Sequence, residues 1–393
     1  MGLLFTPRKI GELEIKNRFV HSATCEGMAE ETGEVTEKLI KRYRDLARGG
    51  VGLIIPGYMY VHPLGRTNKY QIGIYKDEMM RGLAKLAGAV HEEGGTIAFQ
   101  LAHGGRQTTR NIIRQTPLAP TGKYRDPLYF VKPRAMTEEE ILSTIEDFGN
   151  AARRATEAGA DAVQLHCAHG YLINQFLSPF LNLREDAWGG SDENRFRFLR
   201  EVVHEVGEAL PSGMPLFVKL STNDFTPGEG VTPPLARKYA GWLVELGIDA
   251  VEVSSGGWFS FMKTLRGDVP VKELMKNVSW WKKPLGYVVI KRMVGKYDLE
   301  EGYNLEAAKM IKPVLGDVPL MLVGGMRTVP FMEEVLEQGY ADFISLSRPF
   351  IREPDLVKKI AEGKAEDAAC VSCNRCIAAL FYGLPIRCYY TGF

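Results

Sequence analysis

The chain has 393 residues, 45% of them hydrophobic, and its 49 Lys and Arg nearly balance its 48 Asp and Glu. This balance produces no overall field that would attract nucleic acid or an anionic membrane, so we expect neither as a partner. No segment approaches the roughly 18 consecutive apolar residues that a membrane span needs, and the amino terminus carries no long apolar run. These features predict a cytoplasmic globular protein.

Short apolar or β-branched runs of about strand length recur along the chain. In chain order they are RFVHSAT, VGLIIP, TIAFQL, DAVQLH, PLFVKL, DAVEVS, VPLMLV and ADFISLS. Stretches with helical spacing, such as EMMRGLAKLAGAVHEEGG, separate most of them, and many end in the glycine that commonly follows a helix. Apolar strands that alternate with helices indicate a parallel sheet that is buried on both faces.

The number of these units predicts an α/β fold of the (β/α)8 TIM-barrel type over residues 1–360. A short cysteine-rich extension, residues 361–393, follows the barrel. The alternative, an open Rossmann-like sheet, requires a Gly-rich phosphate turn after an early strand. The first strand is instead followed by CEGMAEETGE, which lacks that spacing.

Polar residues and a pair of glycines cluster where the predicted strands end, which is the active face of a TIM barrel. They are Thr24, Cys25, Gln100, His103, His166, His169, Tyr171, Lys219, Ser254, Ser255, Gly324, Gly325, Ser347 and Arg348. The loops after strands seven and eight commonly bind phosphate in this fold, through backbone N–H groups assisted by Arg. The segments VGGMRT and SLSRPF supply both, so we expect a phosphate site there.

The segment HCAHGY at the end of the fourth strand contains three candidate catalytic residues, His166, His169 and Tyr171. The spacing of His166 and His169 allows two imidazole N–H groups to point at one oxygen and polarise a conjugated carbonyl. Tyr171, protonated at neutral pH, then protonates the carbon of the forming enolate. A zinc site on the two histidines is the competing interpretation, although the segment offers no clear third ligand.

Longer motifs carry a resemblance to a known family. They are LFTPRKIGELEIKNRFV, QLAHGGR, HCAHGYLINQFLSPFLNLREDAWGGSDENRFRF, LVGGM and ADFISLSRPFIREPDL. In them the chain resembles the old yellow enzyme family of FMN-dependent oxidoreductases, particularly the branch related to 2,4-dienoyl-CoA reductase and trimethylamine dehydrogenase. Common descent determines the fold more firmly than the substrate.

The resemblance implies an FMN site. Gln100 is expected to bond the pyrimidine edge of the flavin, Thr24 and Cys25 to lie against its ring near O4 and N5, and Lys219 to replace the family's usual Arg beside N1 and O2. The remaining implied positions are Gly57, as a cofactor-binding residue, and Gly324, Gly325, Ser347 and Arg348 at the phosphate.

The resemblance also implies the reaction. NADH or NADPH is the expected reductant, flavin N5 passes hydride to an electron-poor C=C bond of an α,β-unsaturated carbonyl or enoyl-CoA type, and Tyr171 supplies the proton. One alternative is a flavin-dependent amine or N-methyl dehydrogenase, whose aromatic bowl would use Trp258, Phe259, Phe261, Trp280 and Trp281. Another is an electron-transfer subunit of a larger flavin and iron–sulfur complex. The sequence leaves the substrate and a homo-oligomeric state open.

The last stretch of the chain contains four of its six cysteines. Cys370, Cys373, Cys376 and Cys388 resemble the iron–sulfur segment of the 2,4-dienoyl-CoA reductase branch, which implies a [4Fe–4S] cluster. Structural zinc and uncoordinated thiols remain as alternatives. Because the relatives continue into further domains, we expect a separate electron-donor protein, a longer polypeptide, or direct reduction by NADH or NADPH.

Overall fold

The computed structural model describes residues 2–126, 130–257, 261–276, 280–281, 283–291 and 294–390. Its centre is a closed barrel of eight parallel strands, each paired with the next along the chain and the last with the first. In chain order the strands are β1 Phe19–His21, β2 Leu53–Ile54, β3 Thr96–Ala102, β4 Ala162–Cys167, β5 Leu216–Ser221, β6 Ala250–Ser254, β7 Leu320–Val323 and β8 Phe343–Leu346. The predicted TIM barrel is confirmed.

Helices follow the strands and cover the outside of the barrel. They are α1 Glu37–Arg48, α2 Met80–His91, α3 Glu138–Glu157, α4 Asp192–Ala209, α5 Pro233–Glu245, α6 Leu305–Leu315, α7 Val329–Glu337 and α8 Leu356–Ala361. The longest, α3, begins with a capping box in which the Thr137 hydroxyl accepts the Glu140 N–H and the Glu140 carboxylate accepts the Thr137 N–H. Their apolar faces join the outer surfaces of the strands in one buried core.

An antiparallel pair of strands, Arg8–Ile10 and Leu13–Ile15, closes the amino-terminal end of the barrel. Ile10 and Ile15 are fully buried and pack against residues at the starts of the barrel strands, such as Val20 and Phe217. Because this end is filled with apolar side chains, a ligand has access at the opposite end, where the strands finish.

The loops at the carboxyl ends of the strands contain the remaining elements. These are the strands Met59–Tyr60, Leu118–Ala119 and Arg134–Ala135, the short helices Arg110–Ile113, Leu172–Leu177, Phe261–Leu265, Val271–Leu274, Lys283–Lys291, Arg348–Arg352 and Arg375–Leu380, and the 3-10 turns Pro63–Gly65 and Asp77–Met79, with Leu3–Phe5 at the amino terminus. Among the described residues, no helix is long and apolar enough to cross a membrane.

The cysteine-rich extension packs onto the barrel. Cys376, Ala379, Ile386 and Tyr389 form an apolar cluster with Ile351, which lies just after β8. The backbone N–H of Ile386 also donates to the carbonyl of Glu26, which follows β1. The extension therefore contributes side chains to the same end of the barrel as the strand-end residues.

Candidate active site

Two adjoining cavities open at the carboxyl ends of the strands. The polar cavity, of about 200 Å³, is lined by Ser22, Ala23, Thr24, His169, Lys219, Ser254, Thr264, Leu265, Tyr303, Val323, Gly325, Met326, Arg327, Ser345, Leu346, Ser347, Arg348, Pro349 and Ile377. The aromatic cavity, of about 210 Å³, is lined by Thr24, Cys25, Tyr58, Thr67, Asn68, His169, Tyr171, Gly257, Thr264, Leu265, Ile377, Leu380 and Phe381. Since Thr24 and His169 line both, the cavities are neighbours.

The polar cavity has the chemistry of an anion-bearing cofactor site. Its lining includes three cationic side chains, Lys219, Arg327 and Arg348. The buried Ser345 Oγ has no hydrogen-bond partner in the described part of the chain, so it is available to a ligand. Gly325 lines this cavity with φ +76°, a backbone conformation that favours glycine. These groups fit the phosphate and polar edge of FMN.

Thr24 and Ser347 join the ends of β1 and β8. Thr24 Oγ1 donates to the Ser22 carbonyl at 3.0 Å, so the contact of 2.6 Å with Ser347 Oγ has Ser347 as its donor. Thr24 and Ser347 therefore lie together at the predicted cofactor position. Cys25 lines the aromatic cavity instead, and burial, followed by the charge of Glu26, raises the pKa of its thiol to about 12.

Gly57 and Gly324 both have close neighbours within the protein. The Gly57 N–H donates to Glu26 Oε1 at 2.6 Å, and a Cβ at Gly57 would lie 2.2 Å from Glu26 Oε2. A Cβ at Gly324 would lie 3.1 Å from the Asn304 backbone nitrogen. The close approach of these neighbours accounts for a glycine at both positions, and their assignment to the cofactor site stays a prediction.

Arg348 connects the polar cavity to the cysteine-rich extension. Its Nη1 donates to the Arg266 carbonyl at 2.7 Å and to Asn374 Oδ1 at 2.5 Å. Arg327, which the sequence analysis did not assign, lines the same cavity and donates to the Cys370 carbonyl at 3.2 Å and to Ser372 Oγ at 2.7 Å. Both guanidinium groups thus contact the predicted phosphate site and the extension.

A line of buried polar side chains crosses the barrel interior from Gln100 to Lys219. Gln100 Nε2 donates to Gln164 Oε1 at 2.5 Å, and Gln164 Nε2 donates to Glu252 Oε2 at 3.0 Å. Lys219 Nζ lies 3.2 Å from Glu252 Oε2 and donates to Ser22 Oγ at 2.7 Å. Lys219 lines the polar cavity, whereas Gln100 is fully buried within β3 and its Oε1 has no hydrogen-bond partner in the described structure.

The predicted substrate-binding trio comes together as a cluster of rings. The His166 ring centroid lies 5.1 Å from that of His169 and 4.7 Å from that of Tyr171, with nearly perpendicular planes in both pairs. His169 has φ +61°, which turns the chain as it leaves β4. His169 and Tyr171 line the aromatic cavity, and His166 packs behind them.

Both histidines are neutral in the folded protein. Burial, with smaller contributions from His169 and Lys219, holds the pKa of His166 well below its usual range. Burial and the Lys219 charge lower the pKa of His169 to about 3. Each neutral ring has one N–H to donate, and His169 Nε2 lies 2.7 Å from Ser254 Oγ.

Tyr58 is a residue that the sequence analysis missed. Its hydroxyl accepts a hydrogen bond from the Tyr171 hydroxyl at 2.8 Å and lies 3.0 Å from Thr67 Oγ1. Thr67 Oγ1 donates to Gln71 Oε1 at 3.1 Å, and that oxygen also accepts the Thr67 backbone N–H at 2.8 Å. Because Gln71 Oε1 accepts only, Tyr171 donates to Tyr58, Tyr58 to Thr67, and Thr67 to Gln71.

The four C-terminal cysteines line one small cavity. All four are free thiols, and burial raises the pKa of Cys376 to about 12, so a bound cation would be needed to stabilise its thiolate. In the described ranges, no three metal-ligating side chains are already close enough to hold one ion. Thiolates are the ligands of both a four-iron cluster and structural zinc, so the donor set suits either group.

The aromatic bowl proposed for an amine substrate is not assembled from the described residues. Trp280 and Trp281 are 83% and 63% exposed, and neither lines the two cavities. Trp258 and Phe259 lie outside the described residues, as does the side chain of Phe261. The rings that do line the aromatic cavity belong to Tyr58, His169, Tyr171 and Phe381.

Comparison with known proteins identifies the class and the family. Residues 3–289 match the NADH:flavin oxidoreductase / NADH oxidase family. The chain is 36% identical over 392 residues to an NADH oxidase of Thermoanaerobacter brockii, across 98% of this chain and 55% of that protein. A structure of 2-naphthoyl-CoA reductase with 2-naphthoyl-CoA matches with a TM-score of 0.86 and 27% identity, across 98% of this chain and 56% of that one.

An old yellow enzyme homologue from Zymomonas mobilis matches with a TM-score of 0.75 and 27% identity, across 94% of this chain and 95% of that one. In sequence and fold the protein is therefore of the FMN oxidoreductase class. It belongs to the NADH:flavin oxidoreductase / NADH oxidase family. It spans about half the length of the Thermoanaerobacter relative and nearly all of the Zymomonas protein.

Proposed function

We propose that the protein binds FMN in the polar cavity and reduces an electron-poor C=C bond of a substrate held in the aromatic cavity. The observation that carries the proposal is the position of Tyr171 and His169 in the wall of a cavity that adjoins the polar one. When bound, FMN supplies hydride transfer to and from carbon. The rest of the chemistry falls to the protein's own side chains.

The substrate oxygen would be polarised by neutral imidazole. Because the pKa of His169 is lowered to about 3, its ring donates a hydrogen bond without bringing a positive charge into the cavity. Tyr171 would donate the proton to the carbon of the C=C bond that does not receive the hydride. Its hydroxyl is held at a defined place by Tyr58, so a small rotation of the O–H turns the proton into the cavity.

The lining favours a neutral, partly apolar substrate. Leu265, Ile377, Leu380 and Phe381 provide the apolar wall. Among the described residues, the aromatic cavity has no acidic side chain that would bind a cationic amine, which argues for the alkene over the amine alternative. An unsaturated carbonyl compound satisfies both the apolar wall and the hydrogen-bond donors.

The test separates the two half-reactions. Flavin-loaded protein is reduced anaerobically with NADH or NADPH and then mixed with 2-cyclohexenone, while the flavin absorbance is followed. In Tyr171→Phe we expect unchanged reduction by the nicotinamide and reoxidation by the alkene that is slower by roughly 10²- to 10⁴-fold, the usual contribution of a general acid. Tyr60→Phe is the matched control, because the Tyr60 hydroxyl contacts the Thr32 carbonyl and lies outside both cavities.

Two results would contradict the proposed alkene reduction, and a third would contradict direct reduction by a nicotinamide. Equal reoxidation rates in Tyr171→Phe and the unmodified protein would remove Tyr171 as the acid. Bleaching of the flavin by trimethylamine, without reoxidation by 2-cyclohexenone, would favour the amine dehydrogenase. Failure of both nicotinamides to reduce the flavin would favour a separate electron-donor protein.

We further propose that Cys370, Cys373, Cys376 and Cys388 hold a [4Fe–4S] cluster. The support is their common cavity and the absence of disulfides among them. After anaerobic reconstitution we expect about four irons and four sulfides per chain, lost in Cys376→Ser and retained in Cys167→Ser, a buried cysteine of β4. Zinc at one per chain, without sulfide, would overturn this assignment.

A further inference from the structure

Glu252 is a buried carboxylate that none of the roles above requires. It lies in the middle of β6, its side chain is fully buried, and its backbone is in register with Lys219 of β5. A carboxylate is seldom found in a strand interior unless a partner compensates the cost of removing it from water. The partner is Lys219, whose Nζ lies 3.2 Å from Glu252 Oε2.

Two amides fix the orientation of the carboxylate. Glu252 Oε2 accepts from Gln164 Nε2 at 3.0 Å, and Gln164 is held in turn by Gln100 at 2.5 Å. Glu252 Oε1 has no hydrogen-bond partner among the residues that the structure describes. The oxygen that contacts Lys219 is therefore the one that the network positions.

In the part of the chain that the structure describes, the other ionisable groups around Lys219 do not supply a negative charge. His21 of β1 and His166 and His169, in and just after β4, feel the Lys219 charge, and burial is the larger cause that keeps them neutral. Arg327 and Arg348 line the same cavity and are cations. Among the described residues, Glu252 is thus the acidic side chain in contact with Lys219.

We propose that Glu252 is a positioning residue that holds Lys219 under the polar cavity and offsets its charge, which lowers the redox potential of a flavin bound there. The inference rests on the proposed FMN site. Reduction adds negative charge to a flavin, and a lone buried cation would favour the reduced state strongly because the interior screens charge poorly. With Glu252 in contact, Lys219 can still donate hydrogen bonds in the site. The carboxylate charge, however, offsets most of the electrostatic effect of the lysine on a bound flavin.

The test measures the flavin rather than turnover. In FMN-loaded protein at pH 6, we expect Glu252→Gln to raise the midpoint potential and to tighten the binding of sulfite, which adds to flavin as an anion, by roughly tenfold. Asp249→Asn is the matched control, because Asp249 lies just before β6 at the far end of the barrel and its Oδ2 accepts the Leu216 N–H at 2.8 Å. We expect it to leave both quantities unchanged.

Two further variants make the result decisive. Glu252→Asp keeps the negative charge but moves it away from Lys219, so we expect a smaller change of midpoint potential and sulfite affinity in the same direction. This variant tests the inference if Glu252→Gln does not fold. In a Lys219→Met background, Glu252→Gln is expected to have a much smaller effect, because the carboxylate acts through the lysine.

Unchanged potential and sulfite affinity in both Glu252 variants would overturn the inference, as would an undiminished effect without Lys219. Loss of the alkene reaction in the unmodified protein would refute the proposed substrate and leave these measurements valid. Failure of the unmodified protein to retain FMN would overturn the cofactor site and this inference together.

Discussion

Replacing Tyr58 by Phe isolates one hydroxyl behind the proposed acid. The Tyr58 ring packs against His166 and Tyr171, with centroid distances of 5.6 and 5.0 Å, and Phe preserves both contacts. What is lost is the oxygen that accepts the Tyr171 proton at 2.8 Å and donates toward Thr67. Burial, followed by Tyr171 and Cys25, holds the pKa of Tyr58 well above its usual range, so its own proton stays in place.

The expected magnitude follows from the charge that develops on Tyr171. When Tyr171 gives its proton to carbon, its oxygen becomes anionic, and the Tyr58 hydroxyl can rotate from Thr67 to donate to it. A hydrogen bond to a charged group contributes about 1.5–3 kcal/mol, so its loss slows protonation by roughly 10- to 100-fold. Reduction of the flavin by a nicotinamide does not use this proton and is expected to be unchanged.

The assay is a double-mutant cycle on the rate of flavin reoxidation by 2-cyclohexenone. Reoxidation is expected to be slower in Tyr58→Phe than in the unmodified protein. In the double variant Tyr58→Phe/Tyr171→Phe it is expected to be no slower than in Tyr171→Phe alone. An equal loss from Tyr58→Phe whether or not Tyr171 carries a hydroxyl would refute the argument, since Tyr58 would then act on the substrate by another route.

Two other predictions concern stability. Gly57→Ala brings a Cβ to 2.2 Å from Glu26 Oε2 and should lower the free energy of unfolding, measured by urea titration, by about 1–3 kcal/mol. The control is Gly241→Ala in the interior of α5, where a Cβ has no neighbour within 4 Å. It should raise the free energy of unfolding by up to about 1 kcal/mol. Equal urea midpoints for Gly57→Ala and the unmodified protein would contradict this prediction, because they would show that the residues around Gly57 relax to accommodate the methyl group. Burial, then His62, lowers the pKa of His103 to about 3, so the folded state binds fewer protons than the unfolded state between that value and about 6.5. The contribution of neutral His103 to the free energy of unfolding is complete above this pH window and falls by about 2 kcal/mol by pH 5. In His103→Gln, the slope of the free energy of unfolding against pH should decrease by the equivalent of one proton. Parallel curves for the variant and the unmodified protein would contradict the lowered pKa of His103.

The sequence determined the architecture because each barrel strand is buried on both faces. A run such as DAVQLH or PLFVKL must then be apolar nearly throughout, and the helices between the runs keep their own spacing. The same local logic located His169, Tyr171, Lys219 and Ser347, since polar residues at strand ends lie on one face of a closed barrel. The second strand is shorter than its run suggested, only Leu53–Ile54.

Local signals existed for two residues that the sequence analysis missed. Tyr58 follows the second apolar run directly, so the strand-end rule applied to it as well. Glu252 places a carboxylate inside DAVEVS, where a buried charge requires a partner. Neither signal names the partner.

The tertiary structure decided the partners. Tyr58 and Tyr171 are 113 residues apart in sequence, and Gln164 and Glu252 are 88 apart. Arg348 contacts Asn374 because the extension folds back over the loop after β8. Spacing along one chain reports which face a side chain occupies, whereas hydrogen bonds across a barrel depend on its closure and on the register of strands distant in sequence.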